Sequence, residues 1–364
     1  MILAGGRVDE LGVLTHYRPK SAVPFGGFAR VIDFPLSNLL HSGIERIAIL
    51  SQYRSYSLIN HIGTGAAWDM IGRNRGISIL PPFKDYDNPH WYRGSADAVY
   101  QNLDFIQYYG PSVILVLSGD HIYQMDYRKM IRFHNEHDAD LTAAFIEVEQ
   151  KSASRFGVAE ISDDFEDGGP LISYEEKPAE PKGRWASLTV FCFRPAVLFE
   201  MLKRNQQAES YEFGRDIIPM MMREKCKVFG YKFHGYWGYT RTIDEYWQTS
   251  MDLLGPDPKI DLEAWGPQVF LRQRMIRMFR QARVVDPAHP GMPLQVPRHR
   301  ERVLADPVHA QCQSLDALQD QEAVERRNRG SHVPQRHDPG AADVGGRAEG
   351  LRVDDAVIGD VGGI

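Results

Sequence analysis

The sequence predicts an α/β fold over residues 1–266 and a tail of different character over residues 267–364. Three observations carry this. Residues 112–117, Ser-Val-Ile-Leu-Val-Leu, form an almost continuous apolar run of strand length, which suits a central parallel strand buried on both faces. Strand-like and helix-like segments alternate around it, the doubly wound pattern. Composition then changes abruptly: no lysine follows Lys259, and no Phe, Tyr or Trp follows Phe279.

In order along the chain, residues 1–4 read as a short apolar strand closed by Gly5-Gly6, and 35–42 as a helix. Residues 44–50 and 77–80 are strand-like, with a helix-like segment at 55–68 between them. Helices over 96–109 and 125–137 flank the apolar run. A strand-rich stretch follows at 141–148, 156–161, 171–175 and 187–193, and helices at 196–205 and 242–254 close a mixed-sheet domain. Beyond about Gly266, segments such as Pro297-Arg298-His299-Arg300-Glu301-Arg302 have neither helical nor strand period. Beyond Phe279 this stretch has no aromatics and little to bury against its ordering entropy. It reads as a disordered tail or as out-of-frame translation of a GC-rich gene. No internal repeat is visible, in particular no hexapeptide period of the β-helix type.

The bulk numbers exclude several classes. A formal net charge of −6 and a pI near 6.1 argue against a generally basic nucleic-acid binder. No run reaches the roughly 18 apolar residues of a membrane span, and the amino terminus lacks the parts of a signal peptide. Cys192, Cys226 and Cys312 are odd in number and widely spaced, so they suggest neither a disulfide framework nor a zinc site, and a reducing cytoplasm is the default. Cys192 reads as a core residue and Cys226 as incidental.

Four short motifs could carry chemistry. Gly5-Gly6 ends the first strand, where ligands of open α/β sheets bind and where glycine lets backbone N–H groups approach phosphate; alone, such a pair is more often a plain turn. Arg18-Pro19-Lys20 precedes the glycine-rich Pro24-Phe25-Gly26-Gly27 and offers two cations for a polyphosphate, although a solvated basic pair is the simpler reading. Asp120, in Ser118-Gly119-Asp120-His121, falls at the end of the apolar strand. It suits Mg²⁺ carried on nucleotide phosphates, against the alternative of a helix cap. His121 reads as a structural hydrogen-bonder. Glu176-Lys177-Pro178 ends another strand, where Glu176 could accept from sugar hydroxyls and Lys177 hold a monoester phosphate, or the two could form an ordinary surface pair.

In this order the blocks become specific. Met1 to Arg7, Arg18-Pro19-Lys20 through Asn38, Trp-Tyr-Arg-Gly-Ser-Ala-Asp-Ala-Val-Tyr-Gln-Asn at 91–102, Ser-Gly-Asp-His-Ile-Tyr-Gln-Met-Asp-Tyr at 118–127, Glu-Lys-Pro at 176–178 and Glu-Phe-Gly-Arg-Asp-Ile-Ile-Pro at 212–219 closely resemble the ADP-glucose pyrophosphorylase family, from residue 1 to about 266. The resemblance implies a Rossmann-like nucleotidyltransferase domain with a mixed, mainly parallel sheet. It implies conversion of ATP and α-D-glucose 1-phosphate to ADP-glucose and pyrophosphate with Mg²⁺, in glycogen or starch synthesis. By position, Arg18 and Lys20 would face the ATP phosphates and Asp120 would hold Mg²⁺. Leu3, Gly5, Gly6 and Gly94 would sit at the nucleotide. Tyr92, Gly157, Glu176, Lys177, Ser187, Phe213 and Trp237 would line the glucose 1-phosphate site.

The sequence departs from that family where the chemistry lies. The family's Gly-Gly-x-Gly-x-Arg-Leu reads here Gly5-Gly6-Arg7-Val8-Asp9-Glu10-Leu11, so Glu10 stands where an arginine faces the triphosphate. A carboxylate there repels phosphate by about 1 kcal/mol per pair in water and more in a dry site. The family's Trp-x-Asp-Val-Gly-Thr reads Trp237-Gly238-Tyr239-Thr240-Arg241-Thr242, so Tyr239 replaces the aspartate that shares Mg²⁺, and Arg241 could neutralise phosphate instead. Glu212 replaces a usual aspartate, and Phe83-Lys84 stand where a glutamine often helps read adenine. These changes open a second reading, a degenerate regulatory subunit that modulates a catalytic paralogue. A third is a related sugar nucleotidyltransferase with another base or sugar. The family continues into a left-handed β-helix that supports homo- or hetero-oligomers and effector response. Here the resemblance stops near Gly266, where composition changes, which favours a reading-frame shift and an absent or scrambled β-helix. The start inside the first strand likewise reads as a truncated or misassigned boundary.

Overall fold

The computed structural model of the chain describes residues 1–6, 8–27, 29–83, 90–254 and 257–260. The expectations for the tail, the frame shift, Cys312, Arg7 and Lys84 lie outside these residues. The described residues fall within one compact unit, Met1–Gly291.

Strand β1 (Ile2–Leu3) is followed by a tight turn at Lys20–Ala22 and the small antiparallel hairpin β2 (Pro24–Phe25) and β3 (Ala29–Arg30). Helix α1 (Asp33–His41) carries Asp33 in its first turn, where the helix dipole favours a carboxylate, and has Pro35 early, before a ladder bond is lost. Strand β4 (Arg46–Leu50), α2 (Tyr56–Ile62) and β5 (Gly76–Leu80) follow. The helix read over 55–68 ends early because Gly63 and Gly65 turn the chain with φ of +54° and +83°.

The helix read over 96–109 is two helices, α3 (Ser95–Tyr100) and α4 (Leu103–Tyr109). Asn102 divides them: its side-chain amide donates to Ala98 O at 2.8 Å and Tyr92 OH at 2.9 Å, competing with the backbone ladder. Then come β6 (Ile114–Ser118), β7 (Ile122–Tyr123), and α5 (Tyr127–Glu136) capped by the Asp126 carboxylate. The strand-rich stretch is β8 (Leu141–Glu147), a short α6 (Gln150–Ala153), β9 (Gly157–Ile161), β10 (Gly168–Glu176) and β11 (Trp185–Phe193). Helix α7 (Pro195–Asn205) follows, then a wide turn at Phe213–Ile217 that runs into α8 (Ile218–Arg223). Strands β12 (Val228–Lys232) and β13 (Trp237–Gly238) precede α9 (Ile243–Met251), which opens with a Thr242–Glu245 capping box. The Phe213–Arg223 turn and helix, β12 and β13 have no counterpart in the sequence reading.

Among the described residues the main sheet has nine strands in the order β5-β4-β1-β6-β11-β8-β12-β10-β9. It is mixed. Strands β5, β4, β1 and β6 run parallel, as do β12 and β8. Strand β11 is antiparallel to both β6 and β8, and β10 to β12 and β9, a larger antiparallel share than strand–helix alternation suggests. Strand β6 is buried on both faces: Leu115 and Leu117 join one core layer with Ile49, Leu36 and Trp68, and Ile114 and Val116 join the other with Val99, Phe145 and Phe191. Cys192 is buried in β11, and burial pushes its thiol pKa up. Among the described residues no helix is long and apolar enough to cross a membrane.

One packing detail makes stability depend on pH. His134 on α5 is buried and shares a 2.9 Å hydrogen bond with Thr142 Oγ1. Burial lowers its pKa to about 4; Arg194 adds to the shift, and Asp140 and Asp138 oppose it. The unfolded chain therefore binds this proton first, so the stability it contributes is complete above pH 6.5 and is lost as pH falls toward 4. His134→Gln should remove about 2 kcal/mol of the difference in unfolding free energy between pH 7.5 and pH 5, read from urea melts at the two pH values.

Candidate active site

A cleft of about 630 Å³ opens at the carboxyl ends of β1, β4 and β6, lined there by Leu3, Leu50 and Ser118. Its size is that of a small-molecule site. Gly5 and Gly6 continue β1 along the wall. A Cβ on Gly5 would stand 3.2 Å from the Gln52 backbone nitrogen, whereas Gly6 faces open space.

Asp120 and Lys20 meet in this cleft. Lys20 is only 3% exposed, and its Nζ lies 3.2 Å from Asp120 Oδ2. The Asp120 side chain keeps 30% of its surface, facing the cleft rather than open solvent. Burial favours its neutral form, but Lys20, His121 and the Ser118 hydroxyl outweigh this and hold the carboxyl well below the usual range. His121 shares a 3.2 Å hydrogen bond with Leu188 O, and burial lowers its pKa to about 4, so it is neutral at pH 7.

The loop before α3 forms a second wall. Gln52 clamps Tyr92 in both directions: Tyr92 N donates to Gln52 Oε1 at 2.9 Å, and Gln52 Nε2 donates to Tyr92 O at 3.2 Å. The Tyr92 hydroxyl is turned inward and donates to Leu80 O at 3.0 Å, so only its ring meets the cleft. Buried Asp97 gathers Arg93 N at 3.0 Å, Arg93 Nη2 at 2.6 Å and Gln101 Nε2 at 2.7 Å. Gly94 packs so closely on the Phe213 segment that an added Cβ would lie 2.3 Å from Tyr211 O. Glu212 accepts from Ser95 N at 3.1 Å and from the Ser95 hydroxyl, and the same hydroxyl oxygen accepts from Phe213 N at 3.1 Å.

The far end holds Gly157, Glu176, Lys177, Ser187 and Phe213. Glu176 accepts from the Tyr174 hydroxyl at 2.8 Å. A Cβ on Gly157 would collide with that hydroxyl at 2.0 Å, which explains glycine there. Lys177 is exposed with φ of +49°, and β11 bulges between Ser187 and Phe191 with Thr189 at φ of +52°. A bulge and left-handed non-glycine residues beside a cleft are a common mark of a binding site.

Two expected residues stand elsewhere. Arg18 does not line the cleft; its charge acts on Arg30, whereas Lys20, in the turn that follows Pro19, is buried against the cleft. Trp237 lies behind the wall, stacked on Tyr239 at 5.3 Å and edge-on to Phe156 and His121 at 5.2 and 5.5 Å. Conversely, Gln52, Ser95, Arg155, Phe156, Thr189 and Arg215 line the cleft with no prior expectation. Their placement comes from tertiary folding, although Arg155-Phe156 beside the strand start at Gly157 was a local signal.

The donor set for a metal is sparse. Among the described residues no group of three or more His, Cys, Asp or Glu side chains could hold an ion. Among the described residues Asp120 is the cleft-lining carboxylate at the end of β6, and Tyr239, whose hydroxyl pKa burial pushes up, lines the cleft beside Lys20. One carboxylate fits a divalent ion that arrives on substrate phosphates, not a resident one.

A family model described as nucleotidyl transferase matches residues 1–255. The chain belongs to the nucleotidyl transferase family. It is 46% identical over 264 residues to a glucose-1-phosphate adenylyltransferase of Clostridium botulinum (strain Alaska E43 / Type E3), covering 72% of this chain and 67% of that protein. A protein of the same name from Clostridium perfringens (strain 13 / Type A) is 44% identical over 72% of this chain and 66% of its own length. One from Geobacillus stearothermophilus is also 44% identical, over 72% and 67%. The chain thus spans about two thirds of the length of these relatives, within its α/β domain. Lys20 and the Gly5-Gly6 loop line one side of the cleft, and Glu176 and Lys177 the other.

Proposed function

We propose that this chain is a glucose-1-phosphate adenylyltransferase, joining the adenylyl group of ATP to α-D-glucose 1-phosphate and releasing pyrophosphate. The observation that carries the reading is the Lys20–Asp120 pair at 3.2 Å, set at the strand ends between the two halves of the cleft. The 44–46% identity to proteins of that name supports the substrates. In this reading an oxygen of the sugar phosphate attacks the α-phosphorus in line, and pyrophosphate leaves. Catalysis is positioning and charge neutralisation. Leu3, Gly5, Gly6 and Gly94 bound the nucleotide, and Lys20 faces its phosphates. Lys177 holds the sugar's phosphate, and Glu176 and Ser187 serve its hydroxyls beside Tyr92, Gly157 and Phe213. Mg²⁺, when it arrives on ATP, would be held by Asp120 and would neutralise phosphate charge.

The test is pyrophosphate release from ATP and glucose 1-phosphate by the folded full-length chain, with other nucleotides and sugar phosphates as a panel. ADP-glucose formation above all other products is the expected outcome. Another preferred pair would move the chain to a different sugar nucleotidyltransferase. Tyr239 favours one second reading, a subunit that binds without turnover. That reading requires ligand binding with no product at all, and altered kinetics when a catalytic relative is mixed in.

A further inference from the structure

Glu10 reads in sequence as a carboxylate set against the triphosphate. In the fold it has a cation. Arg241 donates from Nε to Glu10 Oε1 at 2.9 Å, and its Nη2 lies 2.8 Å from the same oxygen, across 231 residues of chain. Arg241 is fixed from behind as well: its backbone N–H donates to Glu245 Oε2 at 3.1 Å, and Nη1 reaches the Tyr239 hydroxyl at 3.5 Å. Glu245 closes the cap of α9 and also pairs with Arg155 at 2.5 Å. Arg241 lines the cleft, and the guanidinium has five N–H donors, more than these contacts occupy.

The residues around Tyr239 follow the same logic. Lys20 Nζ lies 5.1 Å and the Arg155 guanidinium 5.4 Å from the centre of its ring. Asp120 and Glu245 already pair these two cations, so a carboxylate at this position would add a further negative charge beside them, whereas a neutral phenol adds none. Relative to the pattern the chain resembles, arginine, aspartate and glycine have become Glu10, Tyr239 and Arg241. The summed charge of the three positions is unchanged, but the cation has moved from the opening loop to the end of the domain.

We propose that Glu10 is a positioning residue that holds Arg241 as the cation for the departing pyrophosphate end of the nucleotide. The inference rests on the adenylyltransferase reading for the identity of the ligand, and its anion site is testable without turnover. Inorganic pyrophosphate and glucose 1-phosphate would be titrated separately into the full chain by calorimetry. Arg241→Ala should weaken pyrophosphate binding at least about tenfold, as expected for a lost charge-assisted contact. Glu10→Gln should weaken it roughly threefold or more, because the guanidinium loses its anchor, and Glu10→Asp should recover part of the loss. The double variant should bind no worse than Arg241→Ala alone, and glucose 1-phosphate affinity should not move in any of them.

Tighter pyrophosphate binding by Glu10→Gln overturns the inference, since the carboxylate would then be a repelling neighbour. Unchanged binding by Arg241→Ala does the same. A chain that binds glucose 1-phosphate but no pyrophosphate also overturns it, while leaving the sugar-phosphate half of the functional reading intact. The expected binding pattern without ADP-glucose formation sustains the inference and removes the adenylyltransferase reading instead.

Discussion

Lys20→Met is expected to lower kcat/KM for ADP-glucose formation by roughly 10²–10³-fold, the usual loss when one preorganised donor to developing charge is removed. The ammonium is 3% exposed and cannot be replaced by a mobile surface lysine. The same change strands Asp120, whose ionised state near pH 7 depends mainly on Lys20 and the Ser118 hydroxyl against the cost of burial. Stability should therefore fall by about 1–3 kcal/mol in urea melts. Adding Asp120→Asn to Lys20→Met should restore much of that stability, because the orphaned charge is gone, yet leave activity low. Near-normal kcat/KM in folded Lys20→Met protein would place the chemistry elsewhere in the cleft.

Asp97→Ala is expected to be the most destabilising of the substitutions considered, by about 3–5 kcal/mol. Asp97 is 0% exposed and receives hydrogen bonds from the Arg93 backbone and guanidinium and from Gln101. Removing it leaves a half-buried guanidinium without its carboxylate. Arg93 also lies 3.7 Å from the centre of the Tyr211 ring and donates to Gln206 at 2.5 Å, so the loop before α3 loses one of its ties to the Phe213 segment, the Ser95–Glu212 contacts remaining. The urea midpoint reports the first effect. A rise in KM for glucose 1-phosphate in whatever folded protein remains reports the second. Asp97→Asn, which keeps an acceptor without the charge, should fall between wild type and alanine.

How far the sequence reveals this molecule depends on the range of each interaction. Strand β6 is legible because burial on both faces leaves an unbroken apolar run, and Asp120 is legible because the residue after such a strand falls in the ligand crevice. The division at Asn102 is not legible, since it depends on the Tyr92 hydroxyl ten residues away being held at the right height. Strand β12 hides because Gly230 interrupts its pattern; that glycine is required where a Cβ would stand 2.7 Å from Ile161. Trp237 sits in a motif that resemblance places in the site, but stacking on Tyr239 draws it behind the wall. The Glu10–Arg241 pair has no local signature at all. Its only trace in the sequence is that two departures of opposite sign occur together.

That pair also gives the domain a schedule. At the usual elongation rates of about 5–20 residues per second, roughly ten to fifty seconds separate the synthesis of Glu10 from that of Arg241, 231 positions later. Until then Glu10 lacks the guanidinium with which it pairs in the folded domain. The contact therefore joins the opening loop to the segment just before the last described helix, and it can form only after nearly all of the described fold has been synthesised.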